Sequence, residues 1–482
     1  MCEYVYANGK KCRLKPLEGS KFCPLHVPYE EGESLLGDGI REIKRKKFEE
    51  RLKAGRSYFE GVYLYDAVVK DFNSEKAIVF KNSHVKTLII EGSTLKGLIV
   101  VNSKIERVII FETKVEMLFF KGSEIFGLNI LRVDFTGHIS IRDLEVRYLM
   151  INSTRYVRDG EGGEEEAYGE KKGIIGTIEL SGLKNVRRIG INTRYPLLRK
   201  ILEEHGVSVS ENRERMVRVV SLILRDVSFD VSPRFKRQVR LAVSGLSGQL
   251  VMENLEVFGH VEIRRSRLRS PEFIHVRIES NLILRGSSFI ADPSWNITVL
   301  PNLPIELIIG GFMIVEDCEF SNPHAAEVFY RLARTSWERS GDFEKADEYY
   351  YLEMVAKRKI KSLGRRRGWR KILQRLEVAF EWLFADLTCK YGTDWKRPVI
   401  IWIIAVNVLF PILFYATESV EGISGAMGSL DYEYFSIVTA TTLGYGDYHP
   451  IGVGRAIASL EALFGMFMWA VFLTVFARKY MR

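Results

Sequence analysis

From Phe80 to Phe135 an apolar residue stands at every fifth position, through Val85, Ile90, Leu95, Val100, Ile105, Ile110, Val115, Phe120, Ile125 and Ile130. A helix needs a period near 3.6 and a half-buried strand a period of 2, so neither accounts for the run. Two residues before each of these positions the identity alternates: Ser83, Ser93, Ser103, Thr113 and Ser123 interleave with Leu88, Leu98, Val108, Leu118 and Leu128. The repeating unit is therefore ten residues. Period five predicts a right-handed quadrilateral β-helix, each pentapeptide forming one side and pointing its central residue into a stacked apolar core. A second run, Phe258, Ile263, Leu268, Phe273, Ile278 and Ile283, resumes the period after an interruption.

The pattern resembles the pentapeptide-repeat proteins, with the usual Ala-Asp/Asn-Leu flavour worn down and more β-branched residues. A solenoid of this kind offers a rigid, extended surface rather than a pocket, so scaffolding or docking of a protein partner is its expected role. Pentapeptide-repeat proteins that imitate DNA are strongly acidic, which this mixed-charge segment is not. The sequence divides into a helical, basic linker at 31–58, β-helix at 59–155, an insertion at 156–214 and more β-helix at 215–322. Within the insertion, the acidic, Gly-rich stretch 159–172 reads as a loop and 196–205 as a helix.

A second constraint lies near the other end. Thr441-Thr442-Leu443-Gly444-Tyr445-Gly446-Asp447 sits between residues 399–416, which carry no charge, and residues 456–477, which carry only Glu461. Roughly 20 apolar residues cross a bilayer, so both can span. Residues 432–441 form a shorter apolar and aromatic run of pore-helix length, and 442–447 form the filter segment. Dehydrated potassium needs stacked rings of carbonyl oxygens, and glycines at 444 and 446 allow the dihedrals that turn a backbone toward one axis. Thr442 to Gly446 resembles the T-[VIL]-G-Y-G motif of the potassium-channel pore family, flanked by Thr441 and Asp447, with Leu443 where many members carry Val. The resemblance implies a homotetrameric channel for potassium or monovalent cations, with a cytoplasmic β-helical domain that regulates or scaffolds it. Its filter would bind K+ through Thr442, Leu443, Gly444, Tyr445 and Gly446, the Thr442 hydroxyl adding an oxygen ring.

Charge gives the expected topology. Residues 398–454 contain no Lys or Arg, whereas Lys396, Arg397, Arg478, Lys479 and Arg482 flank the spans, so both termini are expected in the cytoplasm of a cell-membrane protein. Glu418, Glu421, Asp431, Glu433 and Asp447 fall outside and read either as concentrating cations at the outer mouth or as an ordinary solvated acidic loop, with Asp447, beside the filter, favouring the former. Glu461 is an intramembrane carboxylate, expensive unless paired, and is read as bracing the filter from behind. Gly465 reads either as a gating hinge or as a close-packing position. Asn407 reads as a polar packing contact and Pro411 as a mild kink. The spans lack arginines at every third position, which argues against voltage sensing, and no G-x-G-x-x-G follows a strand.

The net charge of +9 is located in one place: residues 357–371 hold nine basic residues and no acid, so the remainder is neutral. Just before a span, this reads as a segment lying on anionic headgroups rather than on nucleic acid. Residues 369–395 follow, with Leu373, Leu376, Phe380, Leu383, Phe384 and Leu387 at helical spacing and Trp369, Trp382 and Trp395 nearby, which predicts an interfacial amphipathic helix. Before it, 323–368 resembles a tetratricopeptide-like helical hairpin with a turn at Ser340-Gly341-Asp342-Phe343; Tyr349 to Tyr351 are expected in core and inter-subunit packing.

The chain opens on charged and turn residues, so no cleavable signal peptide is expected. Five cysteines spread along the chain predict reduced thiols rather than a disulfide framework. Cys2, Cys12, Cys23 and His26, within 1–30, give C-x9-C-x10-C-x2-H, a donor set suited to a closed, structural Zn2+ site. No nucleophile with a base appears, so an enzyme is not expected. The expected chain is multidomain: an N-terminal right-handed β-helix of pentapeptide-repeat kind, an α-helical hairpin connector, and a C-terminal all-α two-transmembrane pore domain at 396–482. It resembles the pentapeptide-repeat ion-channel proteins of prokaryotes. The alternative is a membrane-tethered scaffold with a non-conducting, pore-like anchor.

Overall fold

The computed structural model describes residues 1–131, 133–152, 174–191, 218–231, 238–290, 307–363, 369–422 and 428–481. It comprises two compact units, Met1–Ala325 and Ala326–Arg482.

The first unit is a parallel β-solenoid. Strand His84–Glu91 pairs with Lys104–Phe111, and Thr94–Val101 with Lys114–Lys121; the registers His84↔Lys104 and Thr94↔Lys114 set one coil at twenty residues. Each ten-residue unit supplies one strand, and successive units alternate between two sheets. The expected four short sides are thus joined pairwise into two long ones. The period of five survives because inward residues are spaced two, then three: Ser93, Leu95, Leu98, Val100, Ser103 and Ile105 are all buried. Spacing of two is the pleat; the extra residue is absorbed within the strand between Leu95 and Leu98, where the pairing skips Lys96, or at the corner.

The corners explain the Ser alternation. Asn82, Gly92, Asn102, Glu112 and Gly122 all have φ between 46° and 60°, the left-handed conformation that Gly and Asn tolerate best. The following hydroxyl turns inward and donates to the carbonyl two residues back, as in Ser83 Oγ to Lys81 O at 2.8 Å and Ser103 Oγ to Val101 O at 2.9 Å. It also accepts from the preceding coil: Ser83 N–H donates to Ser103 Oγ at 3.1 Å, and Ser103 N–H to Ser123 Oγ at 3.0 Å. A buried polar column is thereby satisfied coil after coil.

Three expectations are corrected. The segment 31–58 is a cap rather than a linker: helix Gly39–Lys53 buries Ile40, Phe48 and Leu52, and Phe48 packs on Phe59 at 4.7 Å between ring centroids. A solenoid end exposes an apolar cross-section that must be covered. The segment 156–214 is not wholly an insertion, since Ile174–Ser181 pairs with the strand Asp134–Arg142 and Arg188–Ile191 with Glu145–Asn152. Longer corners shift its inward residues, Leu183, Val186 and Ile189, out of period five. The expected loop 159–172 and helix 196–205 lie outside the described residues. In the second run, Val257, Leu282 and Leu284 face the core while Phe258 and Ile283 are only half-buried, so the phase slips by one at both ends of the run.

The second unit is helical. The hairpin consists of Pro323–Ser340 and Phe343–Leu363, reversed at Gly341 with φ 80°. Arg334 joins the two arms, reaching Glu338 at 2.9 Å and the buried Glu353 at 2.8 Å. Helix Trp369–Glu381 runs into a wider π-helical turn, Trp382–Leu387. Helices Lys396–Thr417 and Gly454–Tyr480 are long and apolar enough to cross a membrane, and Ser429–Ala440 lies between them in sequence; they are termed the outer span, the inner span and the pore helix after the expected roles. The outer span contains a π-helical segment, Ala405–Leu409, just before Pro411, whose missing N–H breaks the ordinary ladder. Asn407 donates to Ile403 O of its own helix at 2.7 Å rather than bridging to another. Phe410, Phe414, Tyr432, Phe435 and Ala458 form the core joining the three helices. Of the tyrosine run, Tyr349 is buried; Tyr350 lies 4.8 Å beneath the Arg478 guanidinium.

Candidate functional site

The segment expected to be the filter leaves the C-terminus of the pore helix directly. Thr441 Oγ1 donates to Ile437 O at 2.6 Å and Leu443 N–H to Val438 O at 3.0 Å, closing the last turn. Beyond it φ is positive at Thr442 (56°), Gly444 (60°) and Gly446 (82°), and at neither Leu443 nor Tyr445. A strand whose residues alternate in hand can turn successive carbonyls toward one side, whereas a β-strand points them alternately to both. Added Cβ atoms at Gly444 and Gly446 would meet nothing nearby, so the glycines serve conformation rather than space. The strand is open in the single chain: Leu443 is 58% and Tyr445 67% exposed.

Its outer end is anchored by two Tyr–Asp pairs, of which sequence reading found only the acids. Tyr434 OH donates to Asp447 Oδ2 at 2.9 Å, and Tyr448 OH to Asp431 Oδ1 at 3.0 Å. Asp431 also accepts from Gly428 N–H at 2.7 Å, capping the pore helix. Of the other outer acids, Glu421 lies 3.7 Å from His449 across the short hairpin Val420–Gly422/Tyr448–Pro450.

Behind the pore helix sits a buried polar triangle. Glu461 of the inner span is 0% exposed, and one of its carboxyl oxygens is hydrogen-bonded to Ser436 of the pore helix. Ser436 Oγ also lies 2.6 Å from Val406 O, inside the π-helical segment of the outer span. Three helices thus meet on one hydroxyl. Sequence reading located Glu461 but missed Ser436 and the π-segment carbonyl; a Ser set between Phe435 and Ile437 was the available signal. One turn along, Gly465 faces the last residue of the pore helix, where a Cβ would collide with Ala440 O and lie 3.0 Å and 3.2 Å from its C and Cα. Close approach is what the glycine provides here.

In the first unit, Cys2, Cys12, Cys23 and His26 are all buried, with their ligand atoms within 4.8 Å of one another. His26 Nε2 donates to Glu60 O at 3.1 Å, which leaves Nδ1 bare and facing Cys23 Sγ at 3.2 Å and Cys2 Sγ at 3.6 Å. Cys23 N–H points at Cys2 Sγ at 3.2 Å. Burial lowers the His26 pKa to about 4, keeping the ring neutral, while burial and then the neighbouring Cys12 and Cys2 push the Cys23 thiol up to about 12. Such a site stabilises thiolates only when a cation sits among them. The donors fit zinc: three sulfurs and one imidazole nitrogen with a fixed tautomer. Lys44, missed in the sequence, is buried beside the cluster and donates to Val27 O and Tyr63 O at 2.6 and 2.8 Å.

Residues 399–482 match the family model described as "Ion channel". The chain is similar to Protein LctB of Bacillus caldotenax, 54% identical over 44 residues that cover 9% of this chain and 33% of the relative. It is likewise similar to Protein LctB of Geobacillus stearothermophilus, 50% identical over 44 residues, again 9% and 33%. The chain therefore spans about a third of the length of these curated relatives. No solved structure matches it. With the two helices apolar enough to cross a membrane, the match supports an ion-channel pore domain at 399–482, in a chain whose N-terminal part is a parallel β-solenoid.

Proposed function

We propose that four copies of this chain surround one axis and conduct potassium, with a β-solenoid on the cytoplasmic side that regulates or anchors the pore. The observation that carries this reading is the alternating hand of Thr442, Gly444 and Gly446 in an exposed strand between two spans. One strand offers one wall of oxygens, and four replace a hydration shell. Both termini are cytoplasmic in this reading, following the basic flanks of the spans. Helix Trp369–Glu381 rests in the headgroup layer, supported by Trp369 at 80% and Phe380 at 63% exposure. Cys2, Cys12, Cys23 and His26 hold a structural zinc that ties the amino terminus to the first coil through Glu60.

The test is the reversal potential of purified protein in a planar bilayer with potassium on one side and sodium on the other. Reversal near the potassium equilibrium potential supports the proposal. A current that reverses near zero counts against selectivity, and silence under varied pH, voltage and calcium favours the tethered scaffold.

A further inference from the structure

Between the end of the second hairpin helix and helix Trp369–Glu381 lies a cavity of about 660 Å³ lined by Arg358, Lys371, Gln374, Arg375 and Trp382, among others. Among the described residues the lining contains three cations and no carboxylate. Arg358 is engaged by Asp386 at 2.6 Å, but Lys371 and Arg375 make no ion pair among the described residues. They stand one turn apart on the helix, on a side distinct from the exposed apolar Leu373, Leu376 and Phe380. Gln374 is 8% exposed; its amide nitrogen donates to Lys361 O, and its buried Oε1 has no hydrogen-bond partner.

We propose that this groove binds the headgroup of an anionic glycerophospholipid carrying a free hydroxyl. Lys371 and Arg375 meet the phosphodiester through charge-assisted hydrogen bonds. The headgroup hydroxyl donates to Gln374 Oε1, which only a donor can satisfy. The Trp382 ring lies against the glycerol and upper acyl carbons, as aromatic residues do at headgroup depth. A membrane lipid, rather than a soluble phosphate, is the occupant because the same helix exposes an apolar face and leads into the outer span at Lys396. The inference rests on the interfacial placement of that helix and deepens it from a general attraction to a site with a chemical preference.

The full-length protein, purified in detergent and stripped of lipid, is titrated with short-chain phosphatidylglycerol, and adducts are counted by native mass spectrometry. Phosphatidylcholine and phosphatidic acid of equal chain length, and glycerol 3-phosphate, are run alongside. One phosphatidylglycerol per chain is expected to be retained at concentrations where phosphatidylcholine and glycerol 3-phosphate are not. Lys371→Gln with Arg375→Gln should weaken it about thirtyfold, two interfacial charges being removed. Gln374→Leu should abolish the preference for phosphatidylglycerol over phosphatidic acid. Unchanged binding in the double variant, or equal retention of phosphatidylcholine, overturns the site; equal retention of glycerol 3-phosphate overturns the lipid as its occupant. The readout needs no ion flux, so a non-conducting protein that keeps the adduct would count against the channel reading alone.

Discussion

Replacing Gly465 by Ala separates two roles for a glycine in the inner span. As a hinge, the position tolerates a methyl group with only a stiffer helix, about 1 kcal/mol more favourable to helix than glycine, so gating would change while the filter stayed intact. As a close-approach site it does not: the new Cβ would overlap Ala440 O and press on Ala440 C and Cα at 3.0 and 3.2 Å, all backbone atoms that cannot rotate away. The pore helix must then shift by about 1 Å at Ala440, two residues before Thr442 opens the segment expected to be the filter. Overpacking of this kind costs about 1–3 kcal/mol per chain, or roughly 5- to 150-fold in the folded ratio. The assay is paired: oligomer survival after graded heating in detergent, read by size exclusion, and the potassium-to-sodium permeability ratio in bilayers. Gly465→Ala should melt earlier and lose selectivity together. Wild-type melting and selectivity with only an altered open probability would refute the packing argument.

Gly444→Ala or Gly446→Ala should abolish conduction while leaving the oligomer intact, because φ of 60° and 82° strains any Cβ-bearing residue; unchanged single-channel current would contradict this. Ser436→Ala removes the hydroxyl shared by Val406 O and Glu461, leaving two buried groups short of a partner at about 1–3 kcal/mol each, and should lower thermal survival much as Glu461→Ala does. Elemental analysis should find one zinc per chain, absent from a Cys12→Ser, Cys23→Ser variant, and chelation should speed proteolysis near the amino terminus but leave the pore domain protected. Phe48→Ala should uncap the solenoid at a cost of about 3–5 kcal/mol, seen as faster hydrogen exchange in the first coils and slower exchange change further along.

Local periodicity made the solenoid legible. Its inward positions recur every five residues, and the alternation of Ser and Leu already carried the ten-residue unit. What period alone could not give was the number of sides, because two pentapeptides can meet at a corner or run on as one strand with a kink. The choice lies in the left-handed residues at Asn82, Gly92 and Asn102, which fall every ten residues rather than every five. The strands at 174–191 were hidden because longer corners shift their phase. The filter segment was readable because glycine spacing and flanking apolar runs are local properties. Ser436, Tyr434 and the carbonyl of Val406 were not, since their partners lie 13 to 30 residues away and become partners only when the helices pack. Gly465 was ambiguous for the same reason: only the neighbouring Ala440 distinguishes flexibility from fit.

The twenty-residue coil also governs how such a chain can change length. Removing twenty residues deletes a full turn, and every later strand re-pairs in the same sheet with the same face inward, displaced by one strand spacing of about 4.8 Å. Removing ten exchanges the two sheets, sending everything downstream out of the opposite wall. Removing five places a corner Ser where an inward Leu belongs. The solenoid is therefore a spacer adjustable only in whole turns, and insertions of other lengths can survive only where a corner loops outward.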